Sequence, residues 1–133
     1  MTALFCNGEG MRGGAVHENL AGHPFLGEVT TAPRYRFYSV RDEFPGVVDV
    51  GTDEGGAVAG ELYDVELRTL LDRFLPGEPS ELELGVVELE DGRAVLGMVL
   101  RPEERARHRD ITGSGGWRAY RAETARETVV GLS

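Results

Sequence analysis

Between residues 56 and 65 the chain reads GAVAGELYDV, an alternating run of strand-favouring residues that passes without interruption into ELRTLLDRFL and then Pro76-Gly77. Few arrangements accommodate that order. Glycines precede the run and β-branched and aromatic residues fill it. Leu67, Leu70, Leu71 and Phe74 follow at helical spacing until the proline and glycine end the pattern. The reading is a strand over residues 56–65, central in a sheet, leading directly into a principal helix over residues 66–75.

The rest of the chain is mostly short β-rich runs with short links. Residues 2–6, TALFC, read as a first strand ending in the loop NGEGMRGG, and AVHENLAG after it has room for only one or two helical turns. FLGEVTT and YRFYSV stand on either side of Ala32-Pro33-Arg34 as paired strands, with a turn expected at Phe44-Pro45-Gly46. LELGVVELE and RAVLGMVL form a hairpin with Asp91-Gly92 in its turn. A connection of mixed charge over residues 102–110 leads to ITGSGGWRAY. Strands outnumber helices and join through hairpins, which disfavours a doubly wound parallel sheet. The expected class is α+β, a small mixed or antiparallel β-barrel with one main covering helix. At 133 residues the chain is one domain, placed over 1–121, with a C-terminal tail over 122–133.

Several function classes drop out. The single cysteine, Cys6, excludes an internal disulfide and a cysteine-rich zinc site. His17, His23 and His108 lack H-x-x-x-H spacing, so no metal is expected, and nothing calls for a cofactor. A net charge of −9, with every basic residue an arginine, repels phosphate backbones and makes nucleic acid an unexpected partner. No apolar run spans a membrane, and MTALFCNGEG lacks the basic and apolar regions of a secretory signal, so a cytoplasmic location is expected. Thr112, Ser114 and Ser133 sit in no G-x-S-x-G motif, which leaves a Ser-His-Asp hydrolase without support.

What chemistry remains centres on the first loop. Gly8-Glu9-Gly10-Met11-Arg12-Gly13 satisfies G-x-G-x-x-G and Glu28 follows at about 20 residues, but the helix after it is too short and the next elements are hairpin strands. A dinucleotide fold is not supported. Successive N–H groups in such a loop can still bind a carboxylate, although a merely tight turn is the commoner outcome. Period-two alternation puts Ala57, Ala59, Glu61, Tyr63 and Val65 on one face, setting Glu61 among apolar neighbours where burial should raise its pKa toward that of a general acid or base. A solvent-facing or Arg-paired Glu61 is the alternative. The catalytic candidates are Glu9, His17, Glu18 and Glu61, and the candidate substrate contacts are Asn7, Gly8, Gly10, Met11, Tyr35 and Tyr63. The backbone of residues 8–10 is expected to lie near Glu61.

Taken in order, LFCNGEGMRGG, FLGEVTTAPRYRFY, FPGVV and GGAVAGELYDVELRTLLDRF resemble the γ-glutamylcyclotransferase-like (AIG2-like) superfamily. The similarity is sharpest with the C-terminal domain of allophanate hydrolases, through TAPRYRFY, GELYDV, LGVVELEDGRAVLGMVL and DITGSGGWRAY, and it spans residues 3–120. Two departures bear on activity. Asn7-Gly8 stands where the cyclotransferases have Tyr-Gly, and Leu75 stands where their catalytic glutamate would fall. The resemblance therefore implies a stand-alone small-molecule enzyme that binds a carboxylate-bearing amide, carbamate or amino-acid derivative and acts on it by proton transfer. The alternative it implies is a non-catalytic module that docks on an amidase-like partner, since the sequence carries no amidase signature of its own.

Overall fold

The computed structural model describes residues 2–132, with side chains described as far as residue 125; Ser133, at the end of the expected tail, lies outside the described residues. Among the described residues eight strands form two sheets. The first has the order β2-β5-β1-β7-β6, built from β1 (Ala3–Cys6), β2 (Phe25–Thr30), β5 (Ala59–Asp64), β6 (Leu82–Glu88) and β7 (Ala94–Leu100). The second has the order β4-β3-β8, from β3 (Tyr35–Val40), β4 (Phe44–Asp49) and β8 (Arg109–Asp110). Only β1 and β7 run parallel; every other pair is antiparallel. The fold is α+β, as its sequence pattern implies. The larger sheet curls until its two edge strands touch at one end. There Ala32 N–H donates to Glu88 O at 2.9 Å and Glu90 N–H to Thr30 O at 3.0 Å. That single bridge is all that joins the edges, which are not laddered along their length, so the sheet curls toward a barrel without closing into one.

The strand expected over residues 56–65 is β5, shortened to Ala59–Asp64 and second from the edge, with β1 in the middle position. Gly56 instead bridges to Tyr35 in the other sheet. FLGEVTT and YRFYSV are not partners as expected: β2 pairs with β5, and β3 with β4 and β8, because the Ala32-Pro33 corner carries the chain from one sheet to the other. The turn expected at residues 44–46 falls earlier. Arg41 and Asp42 take the left-handed conformation, φ 55° and 59°, and Glu43 N–H closes the hairpin on Val40 O. Pro45 then sits inside β4, which it can do because β4 is an edge strand.

Helix is where expectation and structure differ most. Residues 67–77 are helical throughout but irregular: α1 (Leu67–Thr69) opens into a π-helical turn (Leu70–Phe74) and closes with a 3₁₀ turn (Leu75–Gly77). The wider spacing leaves Leu67 and Leu71 exposed while Leu70 is buried. The longest helix is α2 (Trp117–Leu132), covering most of the segment expected to be a tail. Gly115, with φ 76°, and the unbranched Gly116 let the chain turn sharply into it. Trp117 and Tyr120 anchor α2 in the core with Phe5, Leu62 and Met11. No helix among the described residues is long and apolar enough to cross a membrane.

Gly60 shows how tightly β5 lies on β1. A Cβ there would come within 2.4 Å of the Phe5 ring and 2.6 Å of Cys6 O. Gly60→Ala is expected to lose roughly 1–3 kcal/mol of stability by overpacking. Gly22→Ala, where a methyl meets open space, should stay within about 0.5 kcal/mol of the parent. Urea denaturation of the two variants measures the difference, and equal midpoints would contradict this packing.

Candidate functional site

β5 and the first loop meet at Glu61. Its side chain is fully buried, 0% exposed, yet it is an ion with four donors. Arg12 supplies two of them, its backbone N–H to Oε1 and its Nε to Oε2, both at 2.8 Å. Tyr63 OH donates to Oε1 at 2.9 Å, and Arg118, reaching from α2, donates Nη2 to Oε2 at 3.0 Å. Burial alone pushes the carboxyl up, which was the expectation. The Arg12, Arg118 and Tyr63 hydrogen bonds outweigh it and hold Glu61 down at about 2. The same bond, with burial as the larger cause, raises Tyr63. Glu61 is thus a fixed anion rather than a group poised to exchange a proton. The loop does reach it, through Arg12, one residue beyond Met11.

The other candidates divide. Glu9 accepts Ala15 N–H at 2.9 Å and the Trp117 indole N–H in a short bond. Burial works against ionisation there, but the two donors hold Glu9 below the usual carboxylate range. His17 places Nδ1 2.9 Å from Gly10 O, and a carbonyl can only accept, so Nδ1 is the donor. Its ring lies 6.1 Å from that of Tyr63. Glu18, on the same short 3₁₀ turn, is exposed. Asn7 is buried, and its Nδ2 has no hydrogen-bond partner among the described residues. Gly8 packs against Pro45, and Gly10 against Cys6 and Leu20. Tyr35 is apart from the loop cluster in its polar contact, since its buried hydroxyl accepts Glu88 N–H. Among the described residues no group of His, Cys, Asp and Glu could hold a metal ion.

A cavity of about 530 Å³ opens beside this cluster. β2 and β5 form one side through Thr30, Ala59 and Gly60, and the loop contributes Met11. The start of α2 forms another through Gly116, Trp117 and Arg118, with Glu28 and Glu90 also on the lining. Tyr120 N–H makes the first helical bond, to Gly116 O, and glycine offers no capping side chain. Of the sequence candidates, Met11 alone lines the cavity. Glu61 and Glu9 stand behind its wall, fixing Arg118 and Trp117 respectively. The sequence reading missed Arg118 and Glu90, and named Glu28 only within the rejected dinucleotide motif, because the three come from distant segments; the resemblance of DITGSGGWRAY covered Arg118.

The curled sheet, the glycine loop after β1 and the helical segment after β5 are those of the γ-glutamylcyclotransferase-like fold. Within it the chain belongs to the allophanate hydrolase C-terminal domain family, whose sequence model matches residues 2–122. A solved protein specific to uropathogenic E. coli is 35% identical, with a TM-score of 0.83 over 91% of this chain and 95% of that one. Kluyveromyces lactis allophanate hydrolase is 27% identical, with a TM-score of 0.80 over 90% of this chain but only 20% of its own length. An AIG2-like protein from Mus musculus is 25% identical, with a TM-score of 0.56 over 77% of this chain and 81% of that one. None of the curated proteins compared with the chain matches it.

A carboxyl held at about 2 when folded, against an ordinary 4.5, contributes stability that is fully present above about 4.5 and lost as pH falls toward 2. Glu61→Gln should therefore lose roughly 2–3 kcal/mol at neutral pH, with its gap from the parent closing through that acid window. Urea midpoints across the window measure it; a gap independent of pH would contradict the ionised cluster. Glu78 behaves oppositely. The residue is exposed, but burial around its carboxyl pushes it up, so its ionised form opposes folding above the ordinary carboxylate range. Glu78→Gln is expected to raise the melting temperature at neutral pH and leave it unchanged in acid.

Proposed function

We propose that the chain is a small-molecule enzyme that binds a carboxylate-bearing amide, carbamate or amino-acid derivative between Met11 and the first turn of α2, and acts on it by proton transfer. The observation that carries the reading is Arg118 at the wall of the cavity. Its Nη2 is committed to Glu61 and to Arg12 O, while no group among the described residues engages its Nε or Nη1. A guanidinium fixed on one side and open on the other is suited to receive a carboxylate, and the uncapped first turn of α2 adds the favourable end of a helix dipole. Glu61 and Glu9, both held as anions, then serve as positioning residues for Arg118 and Trp117. His17 and Glu18, the remaining loop candidates, do not line the cavity.

A second reading is a partner module that completes an amidase-like enzyme. It is favoured by the match to a fifth of the larger Kluyveromyces lactis allophanate hydrolase. Exposed Leu84 and Val86 on the edge strand β6 would give such a partner an apolar seat.

Succinamate, a short amide carboxylate, tests the binding step by calorimetry. Arg118→Gln should weaken it on the order of tenfold or more, a loss of about 1.4 kcal/mol. Equal affinity in Arg118→Gln would remove the cavity reading. Turnover that appears only when an amidase-like protein is added would favour the module.

A further inference from the structure

β6 is an edge strand of the larger sheet, and the middle of its outer side is unpaired. Arg101 N–H donates to Glu81 O at 2.9 Å and Leu89 N–H to Arg93 O at 2.8 Å, so the odd-numbered residues from 81 to 89 turn their backbone groups toward β7. The even-numbered ones face away. At both ends that outer side is occupied. Leu82 N–H goes to Pro79 O at 3.1 Å, Glu88 N–H to the Tyr35 hydroxyl at 2.8 Å, and Glu88 O accepts Ala32 N–H at 2.9 Å. Between them Leu84 and Val86 present N–H and C=O groups with no partner among the described residues, and the side chains of the same two residues are exposed. They project to one face beside Met98 and Leu96 of β7, both only partly buried.

This edge is complementary to itself. In an antiparallel ladder, outward-facing residues set opposite each other exchange both N–H to O=C bonds. With a second copy's β6 antiparallel across the edge and the two-fold axis at Gly85, Leu84 falls opposite Val86 of the other copy and Val86 opposite Leu84, so every free backbone group on both edges is used. Gly85 meets its own counterpart in the close, non-hydrogen-bonded position, where Cα atoms approach to about 4.5 Å and a residue without a side chain leaves the axis clear. Charge permits the approach. Glu83 and Glu88, the acids of β6, are matched within their own chain by Arg101 and Arg34, each at 3.0 Å. In this register neither faces a like charge, since Glu83 comes opposite Val87 and Glu88 opposite Leu82. We propose that two copies of the chain pair edge to edge through β6, antiparallel about Gly85, joining their larger sheets into one. A foreign strand would meet the same backbone groups; a second copy also supplies the apolar side chain opposite Leu84 and Val86 and brings no free charge. The pairing does not depend on what the cavity binds.

Two double variants separate this register from any other contact. Leu84→Lys with Val86→Lys sets like charges opposite each other across the pair, whereas Leu84→Glu with Val86→Lys sets opposite charges there. Sedimentation equilibrium on the whole chain, from about 1 μM to about 300 μM, reads the association. The parent should dimerise within that range, the first variant at least about tenfold more weakly, and the second to within about threefold of the parent. Misfolding cannot mimic that recovery. Backbone amide exchange at Leu84 and Val86 should slow as the dimer forms. A parent that stays monomeric throughout overturns the proposal and leaves the edge to another occupant, an amidase-like partner among them. A dimer that both double variants weaken alike, or that neither weakens, overturns the register and the proposal with it.

Discussion

Everything around the cavity depends on one buried carboxylate. Glu61 comes from β5, Arg12 from the loop after β1, and Arg118 from α2, more than fifty residues further along the chain. An unpaired ion at that depth would neutralise or pull water in. With four donors on its two oxygens it stays charged, and the elements supplying them are held in fixed relation. Arginine suits the task in a way lysine would not. Arg12 uses one planar fork to hold Glu61 through Nε and Glu28 through Nη2, which ties β2 to the same cluster. The guanidinium also lies over the Phe25 ring, 4.1 Å from its centroid, so its apolar face is covered as well.

Strand content was legible because its signals are local. Alternation and turn residues place β1, β5 and the β6–β7 hairpin with Asp91-Gly92. Pairing was less legible. FLGEVTT and YRFYSV look like neighbours because a short corner joins them, but a Pro corner between sheets and a hairpin turn within one leave similar marks. The true hairpin turn, Arg41-Asp42, uses residues that rarely take positive φ, and part of its stabilisation comes from outside the segment. Asp42 accepts hydrogen bonds from Ser39 and from Tyr120 of α2. A turn held in part by a helix 78 residues away carries only part of its signature in its own sequence.

The same distinction separates the two helices. Residues 66–75 carry a clear 3.6-residue pattern, yet the segment widens into a π turn and buries little of it. RAYRAETARETVVGL has almost no amphipathic pattern, and α2 is nonetheless the longest helix. Among the residues whose side chains are described, its first turns carry its attachment. Trp117 and Tyr120 enter the core, and Arg118 and Arg121 bond to the loop cluster and to Asp42 O. A helix anchored by its first turns needs no continuous apolar stripe, so periodicity passes it over.

The first loop shows why the site was only half legible. Its glycines and N–H groups read as a carboxylate receptor, and the carboxylates that its Arg12 and Ala15 N–H groups meet belong to the protein. Arg12 N–H goes to Glu61 and Ala15 N–H to Glu9, while Met11 and Gly14 close back on the loop itself. Sequence identifies a group of donors and cannot say whether an internal acceptor will reach them first. Here two do, and the loop becomes a joint rather than a receptor. The consequence is transmitted outward: Glu61 aims Arg118, and Glu9 aims the Trp117 indole, at the head of a helix whose first turn carries no cap. Cationic and donor character missing from the loop reappears at the cavity wall, displaced from the glycine motif by the two carboxylates that filled it.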